Sequence, residues 1–192
     1  MHLRRFNHRG EPSYVKTDHP ILVGTFDGFS WIRCVGKGSF LNSPAVKHFG
    51  DERVGAGEKR VVIDLGDCTG MDSTFMGTLA GIAARLNASG GNLEIADISE
   101  RGRQSLEDLG LDCMMAILPA NAPWSGRLQE IRSQLAPPRA ASPLPGLKDR
   151  AKHVLDAHDS LAGADPRNSG RFAGVISILR EDLGGDGADE SR

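Results

Sequence analysis

Apolar residues recur along this chain in two rhythms. Short runs that alternate, or are apolar throughout, mark strands, and stripes at spacings of three and four mark helices. ILVGTF (21–26) and WIRCVG (31–36) are strand candidates on either side of a DGF turn, the pattern of a hairpin. NSPAVKHFGDERVG (42–55) predicts a helix, with Asn42 or Ser43 as cap, Pro44 in the first turn, and Val46 and Phe49 opening an apolar stripe. KRVVIDL (59–65) runs apolar, as a strand buried on both faces does. After the turn GDCTGM a helix is predicted over 73–87 through Phe75, Met76, Leu79, Ile82, Ala83 and Leu86, and SGG (89–91) stops it. NLEIADI (92–98) alternates as a strand. Ser99 then caps a helix through Leu109, Gly110 ends it, and CMMAIL (113–118) reads as a last strand.

The order ββ-α-β-α-β-α-β predicts an α/β fold over residues 20–118. Its sheet is mixed and largely parallel, with helices covering it. The flanks differ in kind. Residues 1–19 are polar, carry Gly10 and Pro12, and read as a flexible arm. Residues 119–146 hold a short amphipathic helix (124–135, through Leu128, Ile131 and Leu135) and a Pro-rich linker (136–146). Residues 147–183 predict a helical hairpin. Leu147, Ala151, Val154, Leu155, His158 and Leu161 form one stripe; Phe172, Val175, Ile176, Leu179 and Leu183 form the other; Asp165 and Pro166 start the second helix. Such a pair buries little alone, so it has to dock on the α/β block, on a second copy as a homodimer, or on a partner. Residues 184–192 predict a disordered tail.

Composition narrows the class. The chain has 192 residues, 39% of them hydrophobic, and a formal net charge of −2. That balance argues against a general binder of nucleic acid or of an anionic membrane. Cys34, Cys68 and Cys113 have no C-x-x-C spacing and are odd in number, which suits a reducing cytoplasm and three buried structural thiols rather than disulfides or a zinc ribbon. The N-terminal residues lack the apolar core of a signal peptide, and no run approaches a membrane span. The histidines show no metal-ligand spacing, so no metal and no cofactor is expected. VGKGS (35–39) is not a P-loop. ILVGTF supplies no acidic pair for a phosphoaspartate site at Asp64.

The remaining chemistry lies in MDSTF. Asp72, Ser73 and Thr74 stand at a strand-to-helix turn. One reading is a plain helix cap, in which a side-chain oxygen accepts from an unpaired first-turn N–H. A second is a phosphorylation site, because the unpaired N–H groups and the helix dipole favour a phosphate there. Such a phosphate brings about two negative charges, enough to reorganise an interface. A third is a serine nucleophile, but the string is not G-x-S-x-G, and His158 on its apolar stripe reads as a packed residue.

VVIDLGDCTGMDSTFMGTLAGI resembles the STAS domain family, the anti-anti-sigma factors and their relatives. The residues that carry the resemblance are Ile63, Asp64, Leu65, Met71, Asp72, Ser73, Thr74, Gly77 and Leu79, with GKGSFLNS and LEDLGLDCMMAI in the matching places. It covers about residues 20–118 and implies a STAS-like sheet with a C-terminal helical extension. It departs from the family at Phe75, where a glycine is frequent. The resemblance implies a non-enzymatic, phosphorylation-switched antagonist. Such a protein binds an anti-sigma factor that is also a serine kinase of the histidine-kinase-like ATPase type, and a phosphatase resets it. Carried onto this chain, the phosphoacceptor is Ser73 with Thr74 as the alternative, and Asp72 supports it. The partner contacts are Gly38, Ser39, Asn42, Thr69, Met71, Phe75 and Met76. The alternative is a STAS scaffold subunit that is never phosphorylated and acts through its helical tail.

Overall fold

The computed structural model describes residues 21–138 and 146–185. The expected N-terminal arm, the middle of the Pro-rich linker and the end of the tail lie outside the described residues.

Five strands form one sheet. β1 (Ile21–Phe26) and β2 (Phe29–Cys34) make the expected antiparallel hairpin. β4 (Arg60–Leu65), β6 (Asn92–Ile98) and β7 (Ala116–Ile117) then add in parallel, in the order β1-β2-β4-β6-β7. Two further strands have no signature in the hydrophobic pattern. β3 (Gly36–Gly38) and β5 (Cys68–Met71) pair in parallel as a separate ribbon. They are too short and too glycine-rich to alternate, so the expected turn at GDCTGM is in fact a strand, and the second hairpin strand ends at Cys34. The last strand is shorter than CMMAIL: Leu111–Cys113 is a 3₁₀ turn, and only Ala116 and Ile117 pair.

The sheet is buried on both faces, as the unbroken apolarity of β4 predicts. Successive residues of β4 alternate between two cores. Val61, Ile63 and Leu65 join the larger one under the helices; Val62 joins a smaller one with Phe29, Trp31, Ala96, Trp124 and Ile131. On the larger face lie α1 (Ser43–Gly55), α2 (Ser73–Ala88) and α3 (Glu100–Glu107). Gly50 lets α1 close on α2, since a Cβ there would come 2.6 Å from Ile82 Cδ1. On the other face lies α4 (Leu128–Ser133), shorter than the stripe suggests because Trp124 is buried ahead of it and stacks edge-on against Trp31. The Trp124 indole N–H donates to Glu94, which also pairs with Arg60. After α4, Ala136 exchanges two backbone hydrogen bonds with Val23 and so covers the β1 edge.

The hairpin docks on its own chain. α5 (Leu147–Ala164) packs over α2 and α6 (Pro166–Gly185) packs on α5, and Leu161, Phe172 and Ile176 enter the larger core. Asn168, buried at the start of α6, donates to the carbonyls of Leu161 and Leu109 and pins the joint to the end of α3. Leu147, placed on the α5 stripe by its spacing, is instead 84% exposed. The thiols differ from expectation as well: Cys34 is buried, Cys68 half-buried and Cys113 exposed.

Candidate functional site at the start of α2

β4 leads through Gly66 and β5 to the first turn of α2. Asp72 is its cap: Oδ1 accepts from the Phe75 N–H at 2.8 Å. Its second oxygen accepts from the Phe40 N–H at 2.9 Å, and its own N–H donates to the Gly38 carbonyl. One carboxylate therefore caps the helix and ties the 39–42 loop to it. That loop presents Phe40 and Leu41 to solvent, 46% and 63% exposed. Asn42 does not cap α1 with its side chain. It is buried and braces the loop, accepting from Ser39 N–H and donating to the Lys37 carbonyl.

Ser73 and Thr74 differ in access. Ser73 is half-buried, whereas Thr74 is 5% exposed and its carbonyl is taken by the Thr78 hydroxyl. The partner of the Ser73 hydroxyl is not Asp72 but His158 of α5, with Oγ and Nε2 3.0 Å apart. His158 Nδ1 lies 2.8 Å from the Val154 carbonyl, which can only accept, so Nδ1 carries a proton. In the neutral ring Nε2 is then the acceptor, and Ser73 donates to it. Phe172 stacks edge-on against the imidazole at 5.2 Å. One and a half turns earlier in α5, His153 Nε2 meets the hydroxyl of Ser43, the first residue of α1, at 2.8 Å. Burial, reinforced by Lys47, holds the His153 pKa below its ordinary value.

The expected contact residues divide. Gly38, Ser39, Asn42 and Met71 converge beside Asp72, since Gly38 pairs with Met71 across the β3–β5 ribbon, and Thr69 is exposed on β5. Phe75 and Met76 do not belong to that surface. Phe75 is fully buried with its ring against Gly38, where a Cβ would lie 2.8 Å from it, and Met76 is 9% exposed in the same core. The departure from glycine at Phe75 thus fills the space under the loop. Two residues of the site escaped the sequence reading. Phe40 lies inside the loop with no pattern of its own, and His158 is packed on Phe172, as its stripe predicts, but also bonds Ser73. The signal for His158 was a polar group on an apolar stripe, which requires a hydrogen-bond partner once buried.

Asp64, at the end of β4, is committed elsewhere. Its carboxylate is fully buried and takes two hydrogen bonds from Arg132 of α4, while Gly66 N–H donates to it. Arg132 also reaches Asp97, whose left-handed backbone (φ 49°) marks the bulge where the β4–β6 register shifts. An Asp tolerates that conformation better than most side chains. Bonding to Asp64 raises the Arg132 pKa, so the guanidinium stays charged.

No curated protein sequence matches the chain at a significant level. Among solved structures, a putative anti-sigma factor antagonist from Thermotoga maritima is 19% identical, with a TM-score of 0.48, over 57% of this chain and 92% of that one. An anti-sigma factor antagonist from Mycobacterium paratuberculosis is 22% identical, with a TM-score of 0.48, over 58% and 92%. The Bacillus cell fate determinant SpoIIAA, solved in its phosphorylated form, is 16% identical, with a TM-score of 0.46, over 58% and 99%. The family model described as STAS domain matches residues 21–122, more than half of the chain. On that match, the chain belongs to the STAS domain family.

Proposed function

We propose that this protein is an anti-sigma factor antagonist whose partner binding is switched by phosphorylation of Ser73. The observation that carries the reading is the placement of Ser73. Ser73 is the less buried residue of the pair and stands at the first turn of a 16-residue helix. Asp72 caps the Phe75 N–H, and the unpaired N–H groups of a helix's first turn favour a phosphate there. Membership of the STAS family supports the same reading. The partner is an anti-sigma factor that is also a serine kinase of the histidine-kinase-like ATPase type. In the transfer, Ser73 Oγ bonds to the γ-phosphorus of ATP, the bond to the β-phosphate oxygen breaks, ADP leaves, and the hydroxyl proton passes to a base on the kinase. A phosphatase reverses the step. The contact surface is the 39–42 loop with exposed Phe40 and Leu41, the β5 residues Thr69 and Met71, and the first turn of α2.

A pull-down with the chain as bait, followed by ATP and mass mapping, tests this. An ATPase-type kinase co-purifies, phosphate appears on Ser73, Ser73→Ala retains the kinase, and Ser73→Asp loses it. Absence of phosphate at Ser73 with the recovered kinase overturns the switch and leaves the unphosphorylated scaffold.

One observation favours a second reading, a serine hydrolase: the Ser73–His158 pair has the spacing of a nucleophile and its base. Against it, His158 Nδ1 faces a backbone carbonyl rather than a carboxylate, and its ring is packed on Phe172. Labelling of Ser73 by a fluorophosphonate probe decides between them.

A further inference from the structure

We infer that α5 is a latch held in cis over the start of α2, which an outside protein has to displace to reach Ser73. The inference rests on the switch reading above.

Three contacts define the latch. The Ser73 hydroxyl is bonded to His158. The Ala157 carbonyl lies against Gly77, so that a Cβ at position 77 would collide with main chain and not with a movable side chain. Gly81, one turn on, faces the Ser160 side chain, where a Cβ would lie 3.1 Å from Oγ and 3.8 Å from Ser160 Cβ. Two small residues four apart thus form a shallow seat, in which the backbone of α5 meets Gly77 and the Ser160 side chain meets Gly81, with Ala157 3% exposed at its centre. His153 on Ser43 extends the contact to the start of α1. The face of α2 that carries the phosphoacceptor is therefore occupied by the chain itself.

The closed contact is incompatible with a phosphate. The bridging oxygen is 3.0 Å from His158 Nε2. A tetrahedral phosphorus with three further oxygens does not fit in that gap, and the bond loses the only proton Ser73 has to donate. Phosphorylation thus requires α5 to move first and prevents its return to the same seat. The closed form is the resting state, withheld from the kinase, and the modified form is open.

The latch is also built to detach without unfolding the sheet. Its polar contacts on α2 are the Ser73 bond and His153 against the Thr78 hydroxyl at 3.5 Å, and α5 shows three buried residues, Ala157, His158 and Leu161, in a helix of 18, of which Leu161 enters the larger core. β2, β4 and β6 are also held from the other face by the smaller core, to which α5 contributes no residue. Opening is a local event of the kind that hydrogen exchange detects.

Hydrogen–deuterium exchange on the full chain tests the latch without any partner. Amides of Leu147–Ala164 are expected to exchange at least about tenfold faster than those of β4 and β6, and Ser73→Glu is expected to accelerate α5 by about another tenfold while β4 stays unchanged. Exchange of α5 in step with β4 in both proteins overturns the latch. A double variant, Gly81→Cys with Ser160→Cys, tests its consequence, because the Cβ separation suits a disulfide. The oxidised protein is expected to accept phosphate from the recovered kinase and ATP at least about tenfold more slowly than the same protein reduced with dithiothreitol, mapping confirming that the native thiols are unpaired. Equal rates overturn the latch and leave the Ser73 switch standing. Faster α5 exchange in Ser73→Glu with no phosphate on Ser73 in the reduced protein leaves the latch and overturns the switch.

Discussion

Arg132 holds Asp64 in a two-pronged grip, Nε on one carboxylate oxygen at 2.8 Å and Nη2 on the other at 2.7 Å. The carboxylate is fully buried. A pair of this kind gains little over an apolar replacement, but removing Arg132 leaves the buried Asp64 charge only the longer contact to Arg33, 3.7 Å away. Arg132→Ala is therefore expected to cost about 3–5 kcal/mol, and the joint replacement Arg132→Met with Asp64→Leu far less than the single changes sum to. Urea unfolding of the four proteins measures this. A cost below about 1 kcal/mol for Arg132→Ala contradicts the burial of the pair.

Asp72 joins the 39–42 loop to α2. Asp72→Ala removes the helix cap at a cost of about 1–2 kcal/mol and frees the Phe40 amide. Asp72→Asn keeps a cap oxygen and is expected to lose less. Exchange of the Phe40 amide should quicken in the alanine protein while that of β6 holds, which separates loop release from general weakening.

Acid should loosen the hairpin. His153 is buried, and its pKa is depressed first by that burial and then by Lys47, with Asp156, Asp51 and Asp72 opposing. Below the ordinary imidazole value of about 6.5, the exposed ring takes a proton that the docked ring refuses. This contribution is therefore complete above about 6.5 and is lost as pH falls toward the docked value. Thermal melts and α5 exchange at pH 7.5 and 5.5 should show it, and His153→Gln should flatten that part of the dependence. An unchanged slope in His153→Gln removes His153 from the account.

Cys68 is expected to ionise at lower pH than an ordinary thiol. A hydrogen bond from the Cys34 thiol is the main reason its pKa is lowered to about 6, and Cys34 itself is pushed upward by the same bond and by burial. Cys68 opens onto a cleft it shares with Lys37, Thr69 and Arg101, so a small reagent reaches it. Alkylation by iodoacetamide should follow a midpoint near pH 6 at Cys68, spare Cys34, and move upward in Cys34→Ala. A Cys68 midpoint that ignores Cys34→Ala rules out the thiol pair as the cause.

Much of this was legible in the sequence because the larger elements obey a single rule each. The run of β4 between Arg60 and Leu65 predicted a doubly covered strand, and α2 kept its spacing from Phe75 to Leu86. What escaped was decided by distance in space. β3 and β5 carry no pattern of their own and exist because Gly36 and Cys68 come together through the rest of the fold. Phe75 looked like a candidate for a partner surface, and only its fit beneath Gly38 shows why it is large. His158 lies 85 residues from Ser73, and nothing local to either predicts the other.

Gly77 touches the main chain of α5, and a main chain has no rotamers with which to yield. A hairpin of this kind can be gained only by a chain that already has glycine at that position. Once gained, it forbids the glycine's replacement, so the history of the tail and the history of residue 77 cannot be independent.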